Sequence, residues 1–274
     1  MDQSTSAPNL RPDILAHYEL GQEADRLSRR TGTGRLEFLR TKDLLSRTLP
    51  TPPALVLDVG GGSGVYAAWL AQQGYRVELV DPVPLHVEQA GRQPGVSARL
   101  GDARDLHDAA DASVDVVLLL GPLYHLQERE ERLAALGEAR RVTRPGGIVV
   151  AATINRFSAL HDSLAKGVYY TPERRVVIDA GTENGRHIPR PEGSDFTTAF
   201  FHAPEQIAEE FTEAGLGPSR QYGIEGAAWL MPNTATDLDD PERTEVLLAA
   251  LRRTESVPSL LGASSHLLTV AERG

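Results

Sequence analysis

The 274-residue chain contains no cysteine. That excludes disulfides, thiolate zinc sites and a thiol nucleophile, and it agrees with a reducing, cytoplasmic setting. Basic residues are in deficit: 28 Lys and Arg stand against 38 Asp and Glu, for a net charge of -10. A chain of that sign is a poor partner for a nucleic-acid backbone or an anionic membrane surface. Long apolar runs are missing too. Stretches such as Val116–Leu120 are far too short to cross a bilayer. The polar start, Met1 to Asn9, lacks the basic and apolar regions of a signal peptide. What is present is 41% hydrophobic residues, enough for one substantial core with at most a small appendage.

Residues 1–11 read as a disordered polar tail. Pro12 opens a helix over Asp13 to Leu27, the glycines of Arg29–Gly34 make a loop, and a second helix runs from Leu36 to Leu49 until Pro50, Pro52 and Pro53 stop it. These two helices are too small to hold a core, so residues 12–53 are expected to form a flap over the mouth of a sheet. From Ala54 the rhythm is strand, helix, strand. Expected strands are Ala54–Val59, Arg76–Asp81, Val96–Leu100, Asp115–Leu120 and Ile148–Thr153, with helices between them. That alternation predicts an α/β doubly wound sheet. Residues 155–203 interrupt it: Asn155 to Lys166 reads as a helix, and Tyr169 to Phe201 then mixes Gly, Pro, Arg and aromatics without clear period, as a lid or binding loop does. A helix from Pro204, a strand near Ser219–Ile224, a helix near Pro241–Arg253 and a strand at His266–Ala271 complete residues 54–274, the last two strands forming an antiparallel edge.

Val56 to Leu70 organises the chain. A buried strand ends in Asp58-Val59-Gly60-Gly61-Gly62-Ser63-Gly64, and a helix comes next. Glycines at such a turn let the backbone approach a ligand, and the helix start offers unpaired N–H groups. The dinucleotide pattern G-x-G-x-x-G needs a glycine at 65, where Val65 stands. A carboxylate beneath the loop repels a diphosphate and suits a ligand bearing positive charge. Asp58, Asp81 and Asp102 each close one of three successive strands on the same sheet edge. Singly, each reads first as a turn former or cap. Together beside the glycine turn, Asp81 is placed for ribose hydroxyls, and Asp102 with the Ala103 N–H for an adenine edge.

The run Asp58–Gly64 resembles the first motif, [D/E]-x-G-x-G-x-G, of the class I S-adenosylmethionine (SAM) dependent methyltransferases. Leu120-Gly121-Pro122-Leu123-Tyr124-His125-Leu126 and Glu138–Gly147 are similar to the segments after strand four in bacterial small-molecule members. The resemblance implies a Rossmann-like seven-stranded sheet in the order 3-2-1-4-5-7-6 with the last strand antiparallel. It also implies SAM as cofactor, no metal, a small-molecule acceptor of aromatic or apolar natural-product type, and a monomer or homodimer. Cofactor contacts then fall on Asp58, Gly60, Gly61, Gly62, Gly64, Asp81, Pro82, Asp102, Ala103, Leu120, Gly121 and Arg40, the last on the SAM carboxylate unless it pairs with Glu37 on its own helix.

Methyl transfer from a sulfonium is an in-line displacement that needs alignment, dryness and a base where the acceptor is a weak nucleophile. His125 and Tyr18 are the candidate catalytic residues. Each has an ordinary role as an alternative, a helix-end contact for His125 and core packing for Tyr18. Tyr18, Tyr124, His125, Phe157, Tyr169, Tyr170, Phe200 and Trp229 are expected around the acceptor, with Phe196 and Phe201 also in the insertion. His161-Asp162 reads as a helix surface. Two other readings stand beside this one: an NAD(P)-dependent oxidoreductase, disfavoured by Val65 and Asp58, and a non-catalytic SAM-binding regulator.

Overall fold

The computed structural model describes residues 11, 14, 15, 18, 32–189 and 196–274. The expected disordered tail, Arg11 apart, and most of the expected Asp13–Leu27 helix lie outside the described residues. Helix α1 (Gly32–Thr48) begins four residues earlier than the glycines suggest, since a helix's first turn tolerates residues that weaken its interior.

Seven strands form one sheet: β1 (Leu55–Val59), β2 (Arg76–Asp81), β3 (Val96–Leu100), β4 (Val114–Leu119), β5 (Thr143–Ile154), β8 (Arg220–Gly223) and β9 (His266–Glu272). The order is β3-β2-β1-β4-β5-β9-β8. β1 to β5 pair in parallel, and β9 is antiparallel to both β5 and β8. β5 starts earlier than its apolar run, because an irregularity opposite Val114–Val116 absorbs Pro145–Gly147.

Alternation along the strands sorts side chains to two faces. Leu57, Val117, Leu119 and Val149 meet α4 (Arg129–Val142) and α7 (Pro204–Glu213) through Leu136, Ala139, Ile207 and Phe211. Val56, Val116, Leu118 and Val150 pack with Leu44 and Leu45 of α1 and with α2 (Val65–Gln72) and α3 (Pro84–Gly91) through Leu70 and Ala90. Both faces are covered, so the central strands read as unbroken apolar runs. Between them, β1 and β4 mark where the winding reverses, the place where such sheets open a cleft beyond their carboxyl ends.

The insertion opens with a helix inside the expected Asn155–Lys166 span and is more regular than expected beyond it. It holds α5 (Ser158–Ala165), α6 (Pro172–Asn184) and a small hairpin of β6 (Arg186–His187) with β7 (Ala199–Phe200). Helix α6 shows no apolar period because only Ile178 and Gly181 are buried on it. Its boundaries were nonetheless written in the sequence, as Pro172 in the first turn and Gly185 in the left-handed cap at φ 82°. Short helices α8 (Thr234–Asp237) and α10 (Pro258–Leu261) flank α9 (Pro241–Arg252) before β9.

Candidate functional site

The turn between β1 and α2 needs its glycines. Gly60, Gly62 and Gly64 have φ of 68°, 58° and 83°, a region that costs other residues strain. Gly61 is required for space: a Cβ there would lie 2.6 Å from both Asp58 Oδ2 and Leu79 Cδ1. Two hydrogen bonds tie the turn to the next strand, Gly60 N–H to the Val80 carbonyl (2.7 Å) and Gly62 N–H to Asp81 Oδ2 (2.9 Å). The other Asp81 oxygen accepts from the Val83 N–H at 2.9 Å and pairs with His86 Nδ1 at 3.0 Å.

Asp58 lies beneath this loop at 1% exposure. Neither of its carboxylate oxygens has a hydrogen-bond partner. Burial, reinforced by the negative charge of Asp81, pushes its carboxyl up to about 7. Asp102 is in the opposite condition. Burial would raise it, but hydrogen bonds from the Arg104 side chain and N–H, with the guanidinium charge, hold it below the usual carboxylate range. Arg104 also bonds Glu131. The expected opening of Asp102 toward adenine is thus taken up by this neighbour two residues on.

A narrow cleft of about 110 Å³ collects these groups. Its lining includes Asp58, Gly60, Gly61, Gly62, Asp81, Pro82, Asp102, Ala103, Leu120 and Gly121, together with Ile14, Tyr18, His86, Tyr124 and His125. The orphaned Asp58 oxygens and the glycine cradle that any Cβ at position 61 would fill suit a nucleoside ligand bearing positive charge. Gly64 does not line the cleft; it caps α2, where an added Cβ would press on Ala90 at 3.0 Å.

Arg40 is also elsewhere. Fully buried on α1, it donates to the Ile224 carbonyl (2.8 Å) and pairs with Asp43 (2.5 Å) and Glu255 (2.6 Å). Its charge is consumed in tying α1 to the β8 side of the sheet, which corrects its placement on the cofactor. Arg40→Ala should therefore lower unfolding free energy by about 2 kcal/mol, since it leaves the buried Ile224 carbonyl without its donor and Glu255 with Arg47 as its remaining cation, and leave cofactor affinity unchanged. Chemical denaturation with parallel calorimetry checks both; a lost affinity at intact stability would contradict the structural role.

Tyr18 and His125 come together. The Tyr18 hydroxyl is 2.6 Å from His125 Nε2, and His125 sits in the 3-10 turn Pro122–His125 after β4. Its ring lies beside those of Tyr124 and Phe196, with centroids 4.6 and 6.0 Å away. Tyr18 and Tyr124 also line a second, larger cavity of about 660 Å³, with Ile154, Phe196, Phe201 and Trp229 among its apolar walls.

Five expected acceptor contacts do not line it: His125 faces the cleft, and four others lie elsewhere. Phe157 is exposed beside His161. The Tyr169 hydroxyl donates to Asp179, and Tyr170 is 72% exposed. Phe200 is buried under the Arg132 guanidinium, 3.8 Å from its ring centre. Aromatic content located the region but not the direction in which each ring points.

The sequence reading missed three polar residues of the large cavity. Glu37, Glu225 and His266 present ligand-type atoms within 4.8 Å of one another, and among the described residues they form the group able to hold a cation. Glu225 Oε1 pairs with His266 Nδ1 at 2.6 Å, while Oε2 accepts from the Ser264 hydroxyl and the His266 N–H, both at 3.0 Å. They come from α1, the segment after β8 and the start of β9, so no local motif announces them. A second pair missed was His86 with Asp81, for which only the spacing Asp81 to His86 over the first turn of α3 offered a signal.

Fold and cleft together define an α/β protein with a ligand site at the switch point of its sheet. Residues 57–151 match a family model described as a methyltransferase domain. A ubiquinone biosynthesis O-methyltransferase from Cereibacter sphaeroides is 34% identical over 66% of this chain and 67% of its own. One from Xylella fastidiosa is 29% identical over 72% and 75%. Among solved structures, a SAM-dependent methyltransferase from Thermotoga maritima, described as a possible histamine N-methyltransferase, superposes with a TM-score of 0.59. Its identity is 16%, over 95% of this chain and 99% of that one. The chain belongs to the class I SAM-dependent methyltransferases. The oxidoreductase and regulator readings give way to that assignment. No helix among the described residues is long and apolar enough to cross a membrane.

Proposed function

We propose that the chain methylates a small aromatic acceptor bearing a phenol- or quinol-type hydroxyl, with the cofactor in the glycine-turn cleft and the acceptor in the large cavity. One observation carries this reading: the two spaces share Tyr18 and Tyr124 as walls, so a group on the acceptor can face one on the cofactor across them. Support for the acceptor class comes from the aromatic walls, and from relatives named for ubiquinone and demethylmenaquinone methylation.

SAM supplies an electrophilic methyl group on a sulfonium. Asp58 offers negative charge beneath the loop, and the glycine turn admits the ligand backbone-close. Tyr124, Phe196 and Trp229 exclude water and hold the acceptor ring. His125 lines the cleft but not the large cavity, whereas Tyr18 lines both. The acceptor's hydroxyl proton therefore passes through the Tyr18 oxygen to His125 Nε2. The imidazole acts there as the general base.

Calorimetry with SAM and S-adenosylhomocysteine, followed by product release across a catechol and quinol panel, tests the proposal. Absence of binding by either cofactor form would sink it. Tyr18→Phe should lower kcat on the order of 100-fold while SAM affinity stays within about twofold. His125→Asn should match it, and an unchanged kcat in both would remove the relay.

A further inference from the structure

The cleft contains a buried acceptor that the glycine turn and the three aspartates do not account for. His86, at 3% exposure on α3, lines the cleft, and its Nε2 has no hydrogen-bond partner. Its other nitrogen lies 3.0 Å from Asp81 Oδ1. A carboxylate oxygen accepts, so the 3.0 Å contact places the proton on Nδ1, and Nε2 of that tautomer is an acceptor. The ring is held on its second side by an edge contact with Tyr18, centroids 5.2 Å apart.

Asp81, meanwhile, is nearly saturated. It accepts from Gly62 N–H, Val83 N–H and His86, which uses three of the roughly four acceptor positions of a carboxylate. A ribose brings two neighbouring hydroxyl donors. Asp81 can take one without giving up the bond that holds the glycine turn. The other needs a second acceptor, and a buried acceptor left unpaired is costly until a donor arrives. Asp58 offers the other unpartnered oxygens in this cleft, but it lies under the turn, where a cationic group suits it.

We propose that His86 is a specificity residue for the ribose: its Nε2 accepts one vicinal hydroxyl while Asp81 accepts the other, so the cleft selects ribonucleosides over deoxyribonucleosides. The proposal rests on the SAM reading of the cleft and adds to it a named acceptor and a sugar preference.

Titration calorimetry of the full chain with S-adenosylhomocysteine and its 2′-deoxy and 3′-deoxy analogues separates the two. The wild-type protein should bind both analogues about tenfold or more weakly. His86→Phe keeps a ring against Tyr18 but lacks the acceptor. It should bind S-adenosylhomocysteine about tenfold more weakly and lose discrimination at one hydroxyl only, keeping it at the other. His86→Gln, whose amide oxygen accepts, should retain discrimination at both. His86→Leu is read in the same way if melting shows His86→Phe unfolded. Unchanged affinity in the Phe or Leu variant, or wild-type discrimination at both hydroxyls, overturns the role of His86 while leaving the SAM reading intact. Failure of the wild-type protein to bind S-adenosylhomocysteine overturns both.

Discussion

Gly61→Ala is expected to reduce SAM affinity at least about 100-fold and to lower unfolding free energy by about 2 kcal/mol. The added Cβ would meet Asp58 Oδ2 and Leu79 Cδ1 at 2.6 Å and Asp58 Cγ at 2.7 Å. None of these atoms has room to retreat. Leu79 is fully buried in the sheet and Asp58 is almost so, so the turn itself must shift. A shift there also pulls on the Gly60 and Gly62 hydrogen bonds that join the loop to β2. The loss is therefore expected in binding more than in folding, because the loop is the part able to yield. Gly91→Ala is the control. Nothing lies within 4 Å of a Cβ at that position, and alanine in the last turn of α3 should be neutral or slightly stabilising. Calorimetry and urea denaturation on the two variants make the comparison. Wild-type affinity in Gly61→Ala would show that the ligand does not depend on this turn.

The second large effect is a pH dependence centred on Asp58. Its carboxyl is pushed up to about 7 in the folded protein by burial and then by the charge of Asp81, against 3.8 for the ordinary group. Between those values the folded state holds a proton that the unfolded chain has released. Stability of the ligand-free protein therefore falls as pH rises from about 4 to 7, and levels off above that. The full difference is on the order of 4 kcal/mol. Asp58→Asn removes it, so the variant should gain stability relative to wild type at pH 8 and show little gain at pH 4.

Cofactor binding should run the other way. The ammonium and sulfonium of SAM favour the ionised carboxylate, so affinity should climb about tenfold per pH unit from about pH 5.5 and flatten near 7. Asp58→Asn should bind weakly and without that slope. Denaturation and calorimetry between pH 4 and 8.5 measure both curves. A wild-type affinity independent of pH would mean that the ligand leaves Asp58 protonated.

Much of the fold was legible because the signals were local. Apolar runs ending in Asp58, Asp81 and Asp102 located three strand ends, and the alternation with helices implied the parallel sheet that the pairing of β1 to β5 displays. Signals failed where a residue's environment comes from far along the chain. Arg40 reads from the sequence as a ligand of the SAM carboxylate or a helix-surface partner of Glu37, whereas the fold brings Glu255 and the Ile224 carbonyl to it. Phe200 looked like a pocket wall until Arg132, held by Glu210, covered its face. Helix α6 escaped a periodicity reading because so little of it is buried, although Pro172 and Gly185 marked its ends.

By itself, the sequence determined the seven strands of the main sheet, where the glycine turn falls and that an acid must lie beneath it. Each of these comes from hydrophobic period, backbone freedom and residue spacing over fewer than ten or so neighbours. Only the tertiary structure decided which acids are open and which are spent. Asp58 has no partner, Asp81 braces the turn and orients His86, and Asp102 is engaged by Arg104. It also decided that Tyr18 meets His125, and that Glu37, Glu225 and His266 converge on one cavity. Hydrogen bonding and desolvation depend on what surrounds a group in space, and no spacing along the chain specifies that.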